Sequence, residues 1–250
     1  TSLIWIHSPK KDANAQAARK RFAFEEIFFI QLERQRARHA YKQNPSFKVE
    51  TSQDLVARFI GRFSFDPTAA QKRAIEDILS DMKKDSPMSR LLEGDVGSGK
   101  TAVAATTAYA TLTTRPHGQD FGNLQVAYMA PTEILAEQHF QSFIGYFKHL
   151  PINIGLITGS GCKKFPSKVD PTGTTAISRA QLLKWAANGE IAILIGTHSL
   201  IQKTVKFKEL AYVIIDEQHR FGTMQRGTLV RKDDRAPHLL SMTATPIPRT

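Results

Sequence analysis

Two stretches of the chain, Ile191–Ile195 and Ala211–Ile215, are apolar at every position, and Leu124–Ala130 and Ile152–Thr158 are nearly so. Strands covered on both faces read this way, because neither side of the pleat meets water. Leu239–Met242 is a shorter run of the same kind, and Leu91-Leu92 ends another. Between the runs the apolar spacing changes to that of helices, over Thr132–His149 and Ala176–Ala187. Helices alternating with continuous apolar strands predict an α/β fold, a doubly wound and mainly parallel sheet with helices on both faces.

The first third of the chain reads differently. Ile4 to Ile6 suggests a short strand, followed by His7-Ser8-Pro9-Lys10-Lys11. Asp12 or Asn14 is placed to cap a long helix to about Lys42, with Ala18, Phe22, Ile27, Phe29 and Ile30 as its apolar side and Asn44-Pro45 as its stop. A second helix opens at Ser52 and ends at Gly61. Thr68 with Gln71 three residues on is a capping box for a third, reaching about Lys84. Residues 115–123 read as a loop. Gly159–Thr174, with three Gly and two Pro, reads as a flexible surface insertion.

The strongest chemical signal follows Leu91-Leu92. Gly94-Asp95-Val96-Gly97-Ser98-Gly99-Lys100-Thr101 has the spacing G-x-x-x-x-G-K-T and runs into an Ala/Val/Thr-rich helix to about Thr114. Strand, glycine loop and helix in that order form a phosphate-binding loop. Backbone N–H groups turn inward as a nest, and the helix N-terminus adds unpaired donors and its positive dipole end. Lys100 would reach the β- and γ-phosphates of a nucleotide, and the Thr101 hydroxyl would hold Mg²⁺. The competing reading is a glycine-rich turn that only caps a helix.

A second signal ends the Ala211–Ile215 run: Asp216-Glu217-Gln218-His219. A buried strand delivering two adjacent carboxylates suits a Mg-nucleotide hydrolase. Asp216 orients Mg²⁺ through its water shell, and Glu217, on the other side of the strand end, orients or deprotonates the attacking water. No Asn-Lys-x-Asp base reader of a GTPase is present. His219 as a metal ligand is not supported, since no Cys or second His has ligand spacing. Ser241-Met242-Thr243-Ala244-Thr245-Pro246 closes the last strand, and His219 could bond Thr243 or Thr245 across neighbouring strand ends. Ala130-Pro131-Thr132-Glu133 and Gly196-Thr197-His198-Ser199 are two further strand-to-helix corners, suited to nucleic-acid phosphates or to plain helix capping.

Net charge adds a partner class. The 250 residues carry +11, with 41% hydrophobic residues, enough for a core. Lys10–Lys48 alone has ten Lys/Arg against four Asp/Glu. That balance suggests a polyanion, although a solvated basic face on the long helix stays open. No run approaches a membrane-spanning length, and Cys162 is the single cysteine, so no internal disulfide is possible. The chain begins at Thr1 and is expected to be a piece of a longer protein, which leaves an upstream organelle-targeting segment compatible with the sequence.

Together these stretches resemble the first motor domain of a superfamily-2 helicase. Gly94–Thr101, 130–139 (Ala-Pro-Thr-Glu-Ile-Leu-Ala-Glu-Gln-His), 196–202 (Gly-Thr-His-Ser-Leu-Ile-Gln), 216–222 (Asp-Glu-Gln-His-Arg-Phe-Gly) and 242–250 (Met-Thr-Ala-Thr-Pro-Ile-Pro-Arg-Thr) are similar to the RecG family of ATP-dependent DNA helicases, as is the basic stretch 17–26. The resemblance implies a RecA-like domain over 51–250. It also implies that 1–50 is a basic linker helix from an upstream DNA-binding wedge. It assigns nucleotide binding to Gly94–Thr101 with Gln71 as the adenine reader, Mg²⁺ to Thr101 and Asp216, and catalysis to Glu217, Asp216 and Lys100. DNA-backbone contacts fall to Pro131, Thr132, Gly196 and Thr197, and coupling to His219, Thr243 and Thr245. The implied cofactors are ATP and Mg²⁺. The implied partners are branched or duplex DNA and, in the same protein, a second RecA-like domain and the wedge. A monomer in the cytoplasm, at the nucleoid and not on a membrane, is expected. Alone, the piece is expected to bind nucleotide weakly and unwind nothing. Two other classes share the motifs: a transcription-repair coupling translocase, and a nucleotide-gated DNA-binding module that does not hydrolyse.

Overall fold

A computed structural model describes residues 2–119, 122–202, 204–216 and 235–244. The chain forms two compact units, Thr1–Gln43 and Asn44–Thr250.

The first unit is a helical pair. Ser2–His7 is a helix, α1, and not the strand that Ile4-Trp5-Ile6 suggests. It packs on α2, Asp12–Lys42, and Arg21 Nη1 donates to Ser2 Oγ at 3.4 Å. That tertiary contact overrides a weak local β preference. α2 starts at Asp12 with Lys11 at its cap position and no side-chain cap, so neither Asp12 nor Asn14 serves as the cap. Of its described residues only Ala18 is buried. Of the expected apolar side, Ala18 is buried and Phe22 half-buried, while Ile27, Phe29 and Ile30, with Phe24 and Phe28, are exposed.

The second unit carries an eight-stranded sheet among its described residues. In chain order the strands are β1 (Ser89–Glu93), β2 (Gln125–Met129), β3 (Asn153–Ile157), β4 (Cys162–Phe165), β5 (Thr175–Ala176), β6 (Ile191–Gly196), β7 (Leu210–Ile215) and β8 (His238–Thr243). Their spatial order is β1-β8-β7-β2-β6-β3-β4-β5. The first six in that order are parallel, while β4 and β5 pair antiparallel at the edge. The stretch 159–174 is therefore only partly a surface loop, because Cys162–Phe165 extends the sheet and Cys162, Lys164 and Phe165 are buried.

Residue parity explains the two cores. Val126, Tyr128, Tyr212 and Ile214 face one side, where they meet Phe59, Ile75, Val103, Tyr109, Phe140 and Phe143 from α3 (Gln53–Ile60), α4 (Ala69–Met82), α5 (Lys100–Thr113) and α6 (Glu133–Phe147). Ala127, Met129, Val213 and Ile215 face the other, where Leu182 and Ala186 of α7 (Arg179–Ala187) and Leu200 cover them. This two-sided burial is why β6 and β7 are apolar at every position. Phe59 anchors the first core, stacked on Tyr109 with centroids 4.3 Å apart and tilted against Phe147 at 5.3 Å. The Thr68–Gln71 capping box forms as expected.

The segment before α3 is locked to β8 through a buried histidine. Met88 N–H donates to His238 Nδ1 at 3.0 Å, and Nε2 lies 2.6 Å from Phe47 O, which assigns the Nε2–H tautomer. Burial pushes the His238 pKa down to about 4, against smaller opposing pulls from the Phe47 carbonyl and Asp81. Unfolded histidine titrates near ~6.5, so below that pH the unfolded chain takes up the proton first. The stability contribution is present above about pH 6.5 and lost as pH falls towards about 4, up to about 3 kcal/mol. The Tm gap between the protein and its His238→Gln variant should therefore narrow across that window. A gap independent of pH would contradict the neutral, buried ring.

Candidate functional site

Among the described residues, the parallel register brings the glycine loop, the 130–132 and 196–197 corners, Asp216 and Thr243 to one edge, the carboxyl ends of the strands. The residue after β7, Asp216, donates its N–H to Met129 O at 2.9 Å, and Ala130 N–H donates to Gly196 O at 2.9 Å. Asp216, the Ala130-Pro131 corner and the Gly196-Thr197 corner are thus side by side. Gly94 N–H donates to Thr243 O at 3.3 Å, which ties the glycine loop to the end of β8. β8 lies between β1 and β7, so loop and Asp216 are two strand spacings apart, about 10 Å. A phosphate chain with a hydrated divalent cation spans such a gap.

The loop itself is built for backbone contact. Gly97 and Gly99 have φ of 80° and 78°, the left-handed region where a side chain strains. At Gly99 a Cβ would also collide with Gln71 Nε2. Val96, at the tip, is 91% exposed, as is expected where the backbone and not the side chain is used. Lys100 Nζ donates to Gly94 O at 2.7 Å and Asp95 O at 2.8 Å, which holds the ammonium within the loop. Thr101 follows in the first turn of α5, and Gly99 is its N-cap. These groups fit a nucleotide's phosphates: inward donors, one cation and a hydroxyl at a helix start.

Gln71 has both ends of its amide engaged. Oε1 accepts from Thr68 N–H at 2.8 Å, and Nε2 donates to Ser98 O at 2.8 Å. It is a strut between the start of α4 and the glycine loop. An adenine contact there would share an amide that already supports the phosphate site.

Asp216 is 15% exposed at its side chain. His139 Nε2 lies 2.9 Å from its Oδ2. Tyr128 OH lies 3.2 Å from Nδ1 of the same ring, with 3.3 Å to Nε2. Burial, and next the Asp216 charge, raises the Tyr128 pKa and keeps it a phenol able to donate. Among the described residues no cluster of three acidic, histidine or cysteine side chains could hold a metal by itself. A cation at Asp216 would rely on phosphate oxygens and water, which is how Mg²⁺ is usually held.

The two corners differ. Pro131 and Thr132 are accessible, and Thr132 Oγ1 caps α6 by accepting from Leu135 N–H at 3.3 Å. Thr197 is 4% exposed, with its hydroxyl 3.4 Å from Ser199 Oγ. The corner after it is a four-residue 3₁₀ turn, His198–Ile201, and not the start of an α-helix. Thr243 Oγ1 donates to Ala244 O at 3.0 Å. Glu217, His219 and Thr245 lie outside the described residues.

His139 closes the 130–139 stretch, but the motif reading assigns it no role. The signal was available: it falls three residues after Ala136 and four before Phe143, on the buried stripe of α6. A polar ring there needs a partner.

A glycine loop on the first strand of a parallel sheet, with a carboxylate two strands over, defines a P-loop nucleotide-binding domain of the RecA-like kind. The chain belongs to the DEAD/DEAH box helicase family, whose model matches residues 68–250. It is 41% identical over 251 residues to the ATP-dependent DNA helicase RecG of Synechocystis sp., covering all of this chain and 28% of that one. To RecG of Bacillus subtilis it is 43% identical over 250 residues, covering 100% and 33%. The structure of RecG bound to a three-way DNA junction superposes with a TM-score of 0.73 at 35% identity, covering 99% of this chain and 30% of that one. The UvsW helicase of bacteriophage T4, at 16% identity and TM-score 0.51, shares the fold. The resemblance to RecG expected from the motifs is borne out. The chain spans about a third of the length of the curated relatives it matches.

Proposed function

We propose that this chain is the first motor domain of an ATP-dependent DNA helicase that remodels branched DNA, such as stalled forks and Holliday junctions, in recombination and repair. The observation that carries the reading is the shared strand edge, where a P-loop and Asp216 flank β8 and the Ala130-Pro131 and Gly196-Thr197 corners continue the row. The loop amides and Lys100 hold the nucleotide's phosphates. Thr101 and Asp216 hold Mg²⁺, which when bound offsets charge on the β- and γ-phosphates. Glu217 orients the attacking water and accepts its proton. Pro131, Thr132, Gly196 and Thr197 meet the DNA backbone, while His219, Thr243 and Thr245 pass the nucleotide state to that surface. The full protein supplies a second RecA-like domain and a DNA wedge, and acts as a cytoplasmic, nucleoid-associated monomer.

The test is ATP hydrolysis by the full-length protein with forked DNA, linear duplex, single-stranded DNA and RNA. Strongest stimulation by forked DNA is expected. Stimulation by plain duplex alone would indicate a transcription-repair coupling type translocase. No turnover with any polynucleotide would make the site a binding switch and overturn the enzymatic reading.

A further inference from the structure

The Asp216 carboxylate is not left to find its own orientation. α6 leaves the Pro131-Thr132 corner, and about two turns along it His139 reaches back under the end of β7 to Asp216 Oδ2 at 2.9 Å. Residue parity puts Asp216 on the same side of the sheet as Tyr212 and Ile214, the side that α6 covers. Behind the histidine stands Tyr128, fully buried in β2, with its hydroxyl 3.2 Å from Nδ1 and 3.3 Å from Nε2. The tyrosine ring is packed at 5.2 Å against Phe143, one turn further along α6. A carboxylate only accepts, so the proton in the His139 Nε2–Asp216 Oδ2 bond is assigned to the ring. The direction of donation, His139 to Asp216, is assigned from the acceptor.

A carboxylate that serves a cation must present a chosen oxygen at a chosen angle. Side chains that donate to such carboxylates fix both, and removing them typically costs about 10–100-fold in metal affinity or activity.

We infer that His139 is a positioning residue for the divalent cation, holding Asp216 in the orientation that receives Mg²⁺ with the nucleotide. This rests on the reading of Asp216 as the Mg²⁺ carboxylate.

The experiment is equilibrium binding of a fluorescent ADP analogue to the full-length protein, once with excess Mg²⁺ and once with EDTA. In the unmodified protein Mg²⁺ tightens binding. In His139→Ala that tightening should fall by about 10-fold while the Kd in EDTA is unchanged. His139→Gln, whose amide donates from nearly the same place as Nε2, should restore most of it. Asp216→Asn should abolish the tightening. If Asp216→Asn loses the Mg²⁺ effect and His139→Ala keeps it, the inference fails while the Asp216 reading stands. If Asp216→Asn keeps it, the reading beneath fails too. If His139→Gln is as defective as His139→Ala, with binding in EDTA weakened in both, His139 only supports the fold and the inference is overturned.

Discussion

Lys100→Ala is expected to lower DNA-stimulated ATP turnover of the full-length protein by about 10²–10³-fold, equivalent to roughly 3–4 kcal/mol of transition-state stabilisation. The ammonium already sits inside the glycine loop, on Gly94 O and Asp95 O, so it is in place before charge develops on the phosphates. Lys100→Arg should fail nearly as badly, because a planar guanidinium cannot occupy a pocket shaped around a point charge. α5 is buried along Ala102–Leu112 and does not depend on this side chain, so Tm should change little. The check is phosphate release at saturating forked DNA beside a thermal melt. Turnover within a few-fold of the unmodified protein would remove Lys100 from the mechanism.

Gly196→Ala should act through the backbone. A Cβ there would stand 2.5 Å from Ile157 O and 2.7 Å from Ile157 Cγ2, with Leu200 Cγ at 3.2 Å. Ile157 is its ladder partner on β3, so the carbonyl cannot move aside without disturbing the register. The expected cost is about 2–3 kcal/mol, a fall in Tm of roughly 5–10 °C. Because Ala130 N–H is anchored to Gly196 O, the same strain reaches the Pro131-Thr132 corner. DNA-stimulated turnover should therefore fall more than DNA-free turnover. Gly145→Ala is the control: it lies in α6 with nothing within 4 Å of a built Cβ, and should stabilise by about 0.5–1 kcal/mol. Equal melting of Gly196→Ala and the unmodified protein would show that β3 and β6 are not held this closely.

What was legible in the sequence was whatever is written locally. The glycine spacing of 94–101, the Thr68–Gln71 box and the apolar runs of β6 and β7 each follow from a few neighbouring residues, and each formed. The misses are non-local. α1 is helical because it packs on α2, which Ile4-Trp5-Ile6 does not announce. β4 contains Lys163 and Lys164 between glycines and prolines, and reads as loop. Yet Lys164 buries its stem, donates to Pro166 O at 2.9 Å and lies 5.8 Å from the Trp185 ring centre. Burial accordingly lowers its pKa. His139 could be placed on the inner face of α6 by spacing, but its partner could not be named without knowing that β7 lies beside β2.

The central claim is that the 94–101 loop and Asp216 are two halves of one Mg-nucleotide site. The most direct measurement is a crystal structure of the full-length protein grown with ADP and Mn²⁺, with the metal located by its anomalous scattering. The account predicts the β-phosphate among the amides of 94–101 and the metal between Thr101 Oγ1 and the Asp216 carboxylate, with His139 still donating to Asp216. A nucleotide bound away from the loop, or a metal that does not approach Asp216, would contradict it.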